Sequence, residues 1–190
     1  MTSGGSVAAD ESLRLFLGLR VPAGWATELA AWQERELGSG GRIVPTSNLH
    51  VTLAFLGRRP SGDLAPVLDA LRESAAGAVR PSLSVERYRE TRAAGMLVLG
   101  DAGGRAAALA GDVQARLETL GVYRRELRPW LPHVTVLRYR TPPRLRPSLP
   151  QVGALVPSDA AAYLSRLHPS GARYEVLESV PLADAQLGGE

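Results

Sequence analysis

Two of the three histidines in this 190-residue chain occur in matching company. Leu49-His50-Val51-Thr52-Leu53 parallels Pro132-His133-Val134-Thr135-Val136, and each histidine falls 12 residues after a glycine, Gly38 or Gly121. Both comparisons give a separation of 83. On a strand, residues i and i+2 share a face, so His50 projects with Thr52 and His133 with Thr135, while Val51 and Val134 turn toward a core. If the two copies pack about a pseudo-twofold axis, two imidazoles and two hydroxyls surround one cleft. An imidazole titrates near pH 6.5, so one copy can be neutral while the other is charged. That pair can supply a general base and a general acid. The threonine hydroxyls can donate to phosphoryl oxygens, and a nearby arginine can offset the charge. The chemistry indicated is metal-free cleavage of a phosphodiester. His168 precedes Pro169 and has no such threonine. It reads as structural or surface.

Such pairs need elements to hold them. Leu13, Leu15, Leu17, Leu19 and Val21 alternate with Arg14, Gly18 and Arg20, the period of a strand. Pro22 stands where a helix can begin, and Ala23 to Leu37 has helical composition, stopped by Gly38. A second strand covers Leu49 to Leu56. Ser61 or Asp63 can cap a helix running to about Ala76. Strands are expected near Ser82–Tyr88 and Met96–Leu99, then a helix from Arg105 to Leu120 stopped by Gly121. A strand from Leu131 to Tyr139 leads into a proline-rich loop. The remainder reads as strands around Val152–Val156, Ala161–Leu167 and Tyr174–Val180. Shifting by the same 83 lays Leu13–Leu17 on Met96–Gly100. A strand–helix–strand unit is therefore expected twice.

Composition narrows the field. With 45% hydrophobic and 22% charged residues the chain reads as one compact, two-lobed globular domain. No cysteine is present, which excludes disulfides, thiol catalysis and Cys-ligated metals. No apolar run reaches the roughly 20 residues of a membrane span. Residues 1–11 lack a basic and apolar leader and read as a disordered tail, so a cytoplasmic location is expected. A single domain over 12–182 and a C-terminal tail over 183–190 complete the organisation. All 22 basic residues are arginine. Seven lie between Arg124 and Arg146 against one acid, Glu126, so this window carries a net +6 while the rest of the chain sums to −3. Such a patch suits an anionic partner or a solvated surface equally well.

These residues resemble the two-histidine (2H) phosphoesterase superfamily, and within it the RNA 2′,3′-cyclic phosphodiesterases, the LigT-like or 2′-5′ RNA ligase family. The resemblance rests on Arg14-Leu15-Phe16, on Asn48 to Gly57, on Pro132 to Arg138, and on Gly171 to Leu177 near the end. It implies an α+β, bilobal fold with two antiparallel sheets related by a pseudo-twofold axis around a central cleft, helices outside. It also implies hydrolysis of a 2′,3′-cyclic phosphate at an RNA end to a 2′-phosphomonoester, with no cofactor and no metal, and a reversible 2′-5′ joining activity. By resemblance His50 is the proton donor and His133 the proton acceptor. Phe55 and Arg138, each five residues after a histidine, would stack on a base and contact phosphate. An odd offset points away from the histidine on a regular strand, so a bulge would be needed. Tyr139 has the matching parity, and Trp130 can either stack on a base or join the core. RNA ends carrying a cyclic phosphate, or 2′-5′ linked RNA, are the expected partners of a monomer without membrane contact. Two other readings stand beside this one: a cyclic phosphodiesterase for a small nucleotide of the ADP-ribose cyclic phosphate type, and a non-catalytic module that binds RNA ends.

Overall fold

The computed structural model describes residues 12–169 and 171–184. The expected tail over 1–11 lies outside them. In chain order the elements are β1 (Ser12–Arg20), α1 (Ala23–Leu37), β2 (Arg42–Ile43), β3 (His50–Pro60), α2 (Leu64–Ala76), β4 (Ser84–Glu90), β5 (Ala94–Gly100), α3 (Arg105–Thr119), β6 (His133–Arg138), β7 (Asp159–Arg166) and β8 (Arg173–Pro181). The helix ends follow their punctuation. Pro22 holds an extended conformation before α1, and Gly121, at φ 70°, takes the left-handed turn after α3 that a side chain would oppose.

The strands run β4-β5-β6-β3-β1-β7-β8, with β2 alongside β6. All of these neighbours pair antiparallel. The two expected sheets are thus present as two halves of one continuous sheet. They meet at a single register pair, Val51 with Val134. Those residues are the counterparts of each other in the repeat, so the pseudo-twofold axis passes through the pair itself.

One part of the expected repeat is displaced. The strands β1 and β5 are equivalent, but not at an offset of 83. Arg20 stands opposite His50 and Val98 opposite His133, which sets the strand offset at 78. The strand residue facing the histidine lies three positions before its helix in the first unit (Arg20, then Ala23) and seven in the second (Val98, then Arg105). A longer turn through Asp101 to Gly104 takes up the difference. Leucine-rich alternation in both strands made the wrong register look equally good.

The helices pack on the face that receives Val51 and Val134. Leu29, Trp32 and Leu37 of α1, Val67 and Leu71 of α2, and Val113 and Leu117 of α3 join one core with those valines. Burying a large apolar side chain fully is worth about 1.5–3 kcal/mol, so this face is where the stability resides. Trp25 and Trp32 donate to the carbonyls of Gly153 and Ser148 and tie down the proline-rich connection. Two expectations fail nearby. Val152–Val156 is not a strand: Pro150 and Pro157 flank it, Gly153 interrupts it, and only Leu155 pairs, through an isolated bridge to Leu83. Ala183 and Asp184 are not tail residues, since Ala183 bridges Val79 and Asp184 pairs with Arg80 at 2.5 Å.

Candidate active site

His50, Thr52, His133 and Thr135 open the two strands that meet on the axis, on the face opposite the helices. The antiparallel register about Val51 and Val134 places His50 across from Thr135 and His133 across from Thr52, with the two histidines on a diagonal. Both strands begin with the same alternation: the histidine and threonine half-buried, the valine between them fully buried. In each copy Nδ1 of the histidine lies 2.8 Å from the carbonyl oxygen two residues earlier, Asn48 for His50 and Leu131 for His133. A carbonyl only accepts, so Nδ1 carries the proton and Nε2 is left as the reactive nitrogen of the neutral ring. Among the described residues no protein group engages either threonine hydroxyl through its side chain, so both are available to a ligand.

Bulges then bring in the residues five positions on. Along β3 the register skips Leu53, between Thr52 opposite Gly18 and Ala54 opposite Leu17, and Phe55 lands opposite Phe16. Along β6 it skips Val136, between Thr135 opposite Met96 and Leu137 opposite Gly95, and Arg138 lands opposite Ala94. Phe16 and Gly18 share a face of β1, so Phe55 returns to the face of Thr52 and His50. The same parity returns Arg138 to the face of His133. The two skipped residues are themselves 83 apart. Phe55 is 50% exposed, and Arg138 is exposed as well.

A bulge leaves carbonyls without ladder partners, and buried ones must be satisfied. Gln114 of α3 donates to the carbonyl of Leu53 at 2.8 Å, and Gln33 of α1 donates to that of Val136 at 2.8 Å. Each unit's helix therefore secures the other unit's bulge. Trp130 adds a bond from its indole nitrogen to the carbonyl of Thr52, 3.0 Å, and packs against the core. Of its two expected roles, this is the structural one. Tyr139 follows the Val136 bulge, so its parity is reversed. It packs on the core and donates to the carbonyl of Thr91 at 3.1 Å. His168 is exposed in a turn, where its carbonyl accepts from the backbone N–H of Gly171.

The surroundings of the two histidines differ. Phe16, Tyr163 and Tyr174 pack around the His50 ring, with centroids at 4.7, 5.8 and 5.3 Å. Asn48 anchors the last of these by donating from Nδ2 to the carbonyl of Ala172, 2.8 Å. Burial among these rings pushes the His50 pKa down to about 4, and the charges of His133 and Arg138 push the same way, against the hydrogen bond to Asn48. Among the described residues no aromatic ring lies against His133. Gly18 leaves room for the His50 ring: a Cβ there would stand 3.0 Å from the carbonyl oxygen of Val51 and 3.5 Å from Cδ2 of His50. Phe16, Tyr163, Gln33 and Gln114 were not anticipated as parts of the site.

Among the described residues no three His, Cys, Asp or Glu side chains converge as a cation site. No helix among them is long and apolar enough to cross a membrane. The arginine window is dispersed: Arg125 faces Glu118 at 3.7 Å and Arg128 pairs with Glu126 at 2.5 Å, while Arg138 reaches the histidine face by the register above.

Residues 19–89 match the family model described as LigT-like phosphoesterase. Over that segment the chain is similar to the LigT-like phosphoesterases, and it shares its fold with solved structures that include one of them. Among individual proteins, it is 23% identical over 175 residues to the RNA 2′,3′-cyclic phosphodiesterase of Methanocaldococcus jannaschii, covering 87% of this chain and 99% of that one. A crystal structure of a Thermus thermophilus protein superposes with a TM-score of 0.74 at 27% identity, covering 90% of this chain and 99% of that one. The apo structure of Escherichia coli LigT shares the fold with a TM-score of 0.74 at 22% identity, over 92% of this chain and 99% of that one.

Proposed function

We propose that the protein hydrolyses 2′,3′-cyclic phosphate ends of RNA to 2′-phosphomonoesters without a metal. The observation that carries this reading is the matched pair of histidines, each with Nδ1 held by a backbone carbonyl two residues back and each followed by a free threonine hydroxyl on the same face. His133 takes a proton from water, whose oxygen forms a bond to phosphorus. The bond from phosphorus to the 3′-oxygen breaks, and His50 gives that oxygen its proton, leaving phosphate on the 2′-oxygen. Thr52, Thr135 and Arg138 hold the non-bridging oxygens, and Phe55 stacks on the terminal base. The name of the M. jannaschii relative supports the substrate class.

The roles of the histidines come from the family resemblance, and the resting protonation adds a condition. With a pKa of about 4, His50 is neutral at pH 7 in the free protein. It becomes a donor only as the phosphate anion enters and offsets the burial that now disfavours its proton. The test is to incubate the protein, in excess EDTA, with an oligonucleotide ending in a 2′,3′-cyclic phosphate. A 2′-phosphate end is expected. A 3′-phosphate would overturn the regiochemistry, and loss in chelator with rescue by a divalent ion would overturn metal independence. Binding without turnover would favour the non-catalytic reading, and turnover of small cyclic nucleotides alone would favour the second.

A further inference from the structure

Beyond Phe55, β1 and β3 bring two arginines face to face. The register sets Arg14 opposite Arg58, two positions past Phe16 and on the face shared by Phe16, Phe55 and His50. Like charges directly opposite on a sheet are destabilising. Among the described residues neither arginine has an ion pair. Arg14 instead lies over the Phe55 ring, 5.2 Å from its centroid, and its Nε is buried without a hydrogen-bond partner. Both arginines line a surface groove with Ser12 and Ser165. The groove's third arginine, Arg166, is already matched by Glu175 at 3.2 Å. A repelling pair with an orphaned donor beside an exposed aromatic is what an absent anion would complete.

The spacing says which anion. From Arg20, opposite His50, to Arg14 is six strand residues, about 20 Å at roughly 3.4 Å each. Phe55 lies between. The cyclic phosphate at the histidines cannot also reach the arginines, whereas a phosphate further back along a strand, beyond the base on Phe55, can. Two guanidinium forks on neighbouring strands suit a phosphate, and an aromatic with cationic neighbours is the pattern of single-strand binding.

We infer that Arg14 and Arg58 form a second phosphate subsite, which grips the backbone of single-stranded RNA behind its reacting end. The inference rests on the reaction proposed above. It assigns the RNA path to the β1–β3 face, away from the Arg124–Arg146 window.

The test compares kcat/KM for a ten-nucleotide RNA ending in a 2′,3′-cyclic phosphate with that for a cyclic mononucleotide. The Arg14→Gln/Arg58→Gln protein should lower the ratio of the two at least tenfold. Its affinity for a labelled ten-nucleotide RNA ending in a 2′-phosphate, read by anisotropy, should fall with it. The log–log salt slope should be shallower by about 0.7 for each phosphate no longer neutralised. The Arg124→Gln/Arg125→Gln protein should leave ratio and slope at wild-type values. An unchanged ratio in the Arg14/Arg58 protein, or a larger change in the Arg124/Arg125 protein, overturns the subsite. A melting temperature no lower than wild type is expected, since a repulsion is removed. If the wild type turns over neither substrate, the proposed reaction is wrong, and the anisotropy comparison alone decides the subsite.

Discussion

Replacing Gln114 by leucine should damage the site through a residue that Gln114 does not touch. The substitution keeps the approximate volume and removes the donor that satisfies the carbonyl of Leu53 at the bulge. A buried acceptor left unpaired costs about 1–3 kcal/mol, so about 2 kcal/mol is expected, or roughly 4–8 °C in melting temperature for a chain of this size. The strand can recover part of this by relaxing the bulge, and that relaxation turns Phe55 off the histidine face. Stacking of a base on an aromatic is worth about 1–3 kcal/mol, so Phe55→Ala alone should raise KM for an RNA substrate about 5- to 150-fold. If Gln114 acts through Phe55, the two losses overlap. Stability by denaturant titration and KM by steady-state assay should then be measured for both single variants and the double. KM should show a coupling energy of at least about 1 kcal/mol. Losses in KM that add to within about 0.3–0.5 kcal/mol would refute the idea that the bulge positions Phe55.

Other expectations concern the histidines directly. His50→Ala and His133→Ala should each lower kcat by roughly 10²–10⁴, Thr52→Val and Thr135→Val by less, and His168→Ala should match wild type in the same hydrolysis assay. Because the His50 pKa falls from 6.5 in the unfolded chain to about 4 in the folded one, the unfolded state binds more protons between those values. Stability should therefore be lost as pH drops from about 6.5 to 4, by at most on the order of 3 kcal/mol, and denaturation of His50→Leu should show a correspondingly flatter pH dependence. Gly18→Val should lower kcat by crowding the His50 ring and the Val51 carbonyl, with KM less affected; a wild-type kcat would show that the ring has room to move.

Much of this was readable in the amino acids because it was punctuated. The His-x-Thr pairs fixed the strands on the axis, and Pro22, Gly38 and Gly121 marked α1 and α3 almost to the residue. The bulges carry no glycine, so they had to be inferred from need. Their trace is Leu53-Ala54 and Val136-Leu137, two consecutive apolar residues where alternation calls for one. The glutamines left a similar trace, since Gln33 stands between Leu29 and Leu37 and Gln114 between Ala110 and Leu117 on buried helix faces. A polar side chain in an apolar stripe announces a buried acceptor, but not whose. The ring cluster around His50 was illegible for another reason: Phe16, Tyr163 and Tyr174 come from three strands, and only the pairing of β1 with β3 and β7, and of β7 with β8, collects them.

The pair of valines on the axis has a consequence for stereochemical choice. A frame built about a twofold axis treats the two oxygens of a cyclic phosphate alike, so it has no means of telling the 2′ from the 3′. Whatever preference exists must come from what breaks the symmetry. Here that is a wall of rings against one histidine and not the other, and a phenyl in one half where the other carries a guanidinium. In the proposed reaction, direction is thus written in the packing around the two histidines, while the histidines themselves are duplicates. Transplanting that wall to the His133 side should be the route to reversing which oxygen leaves.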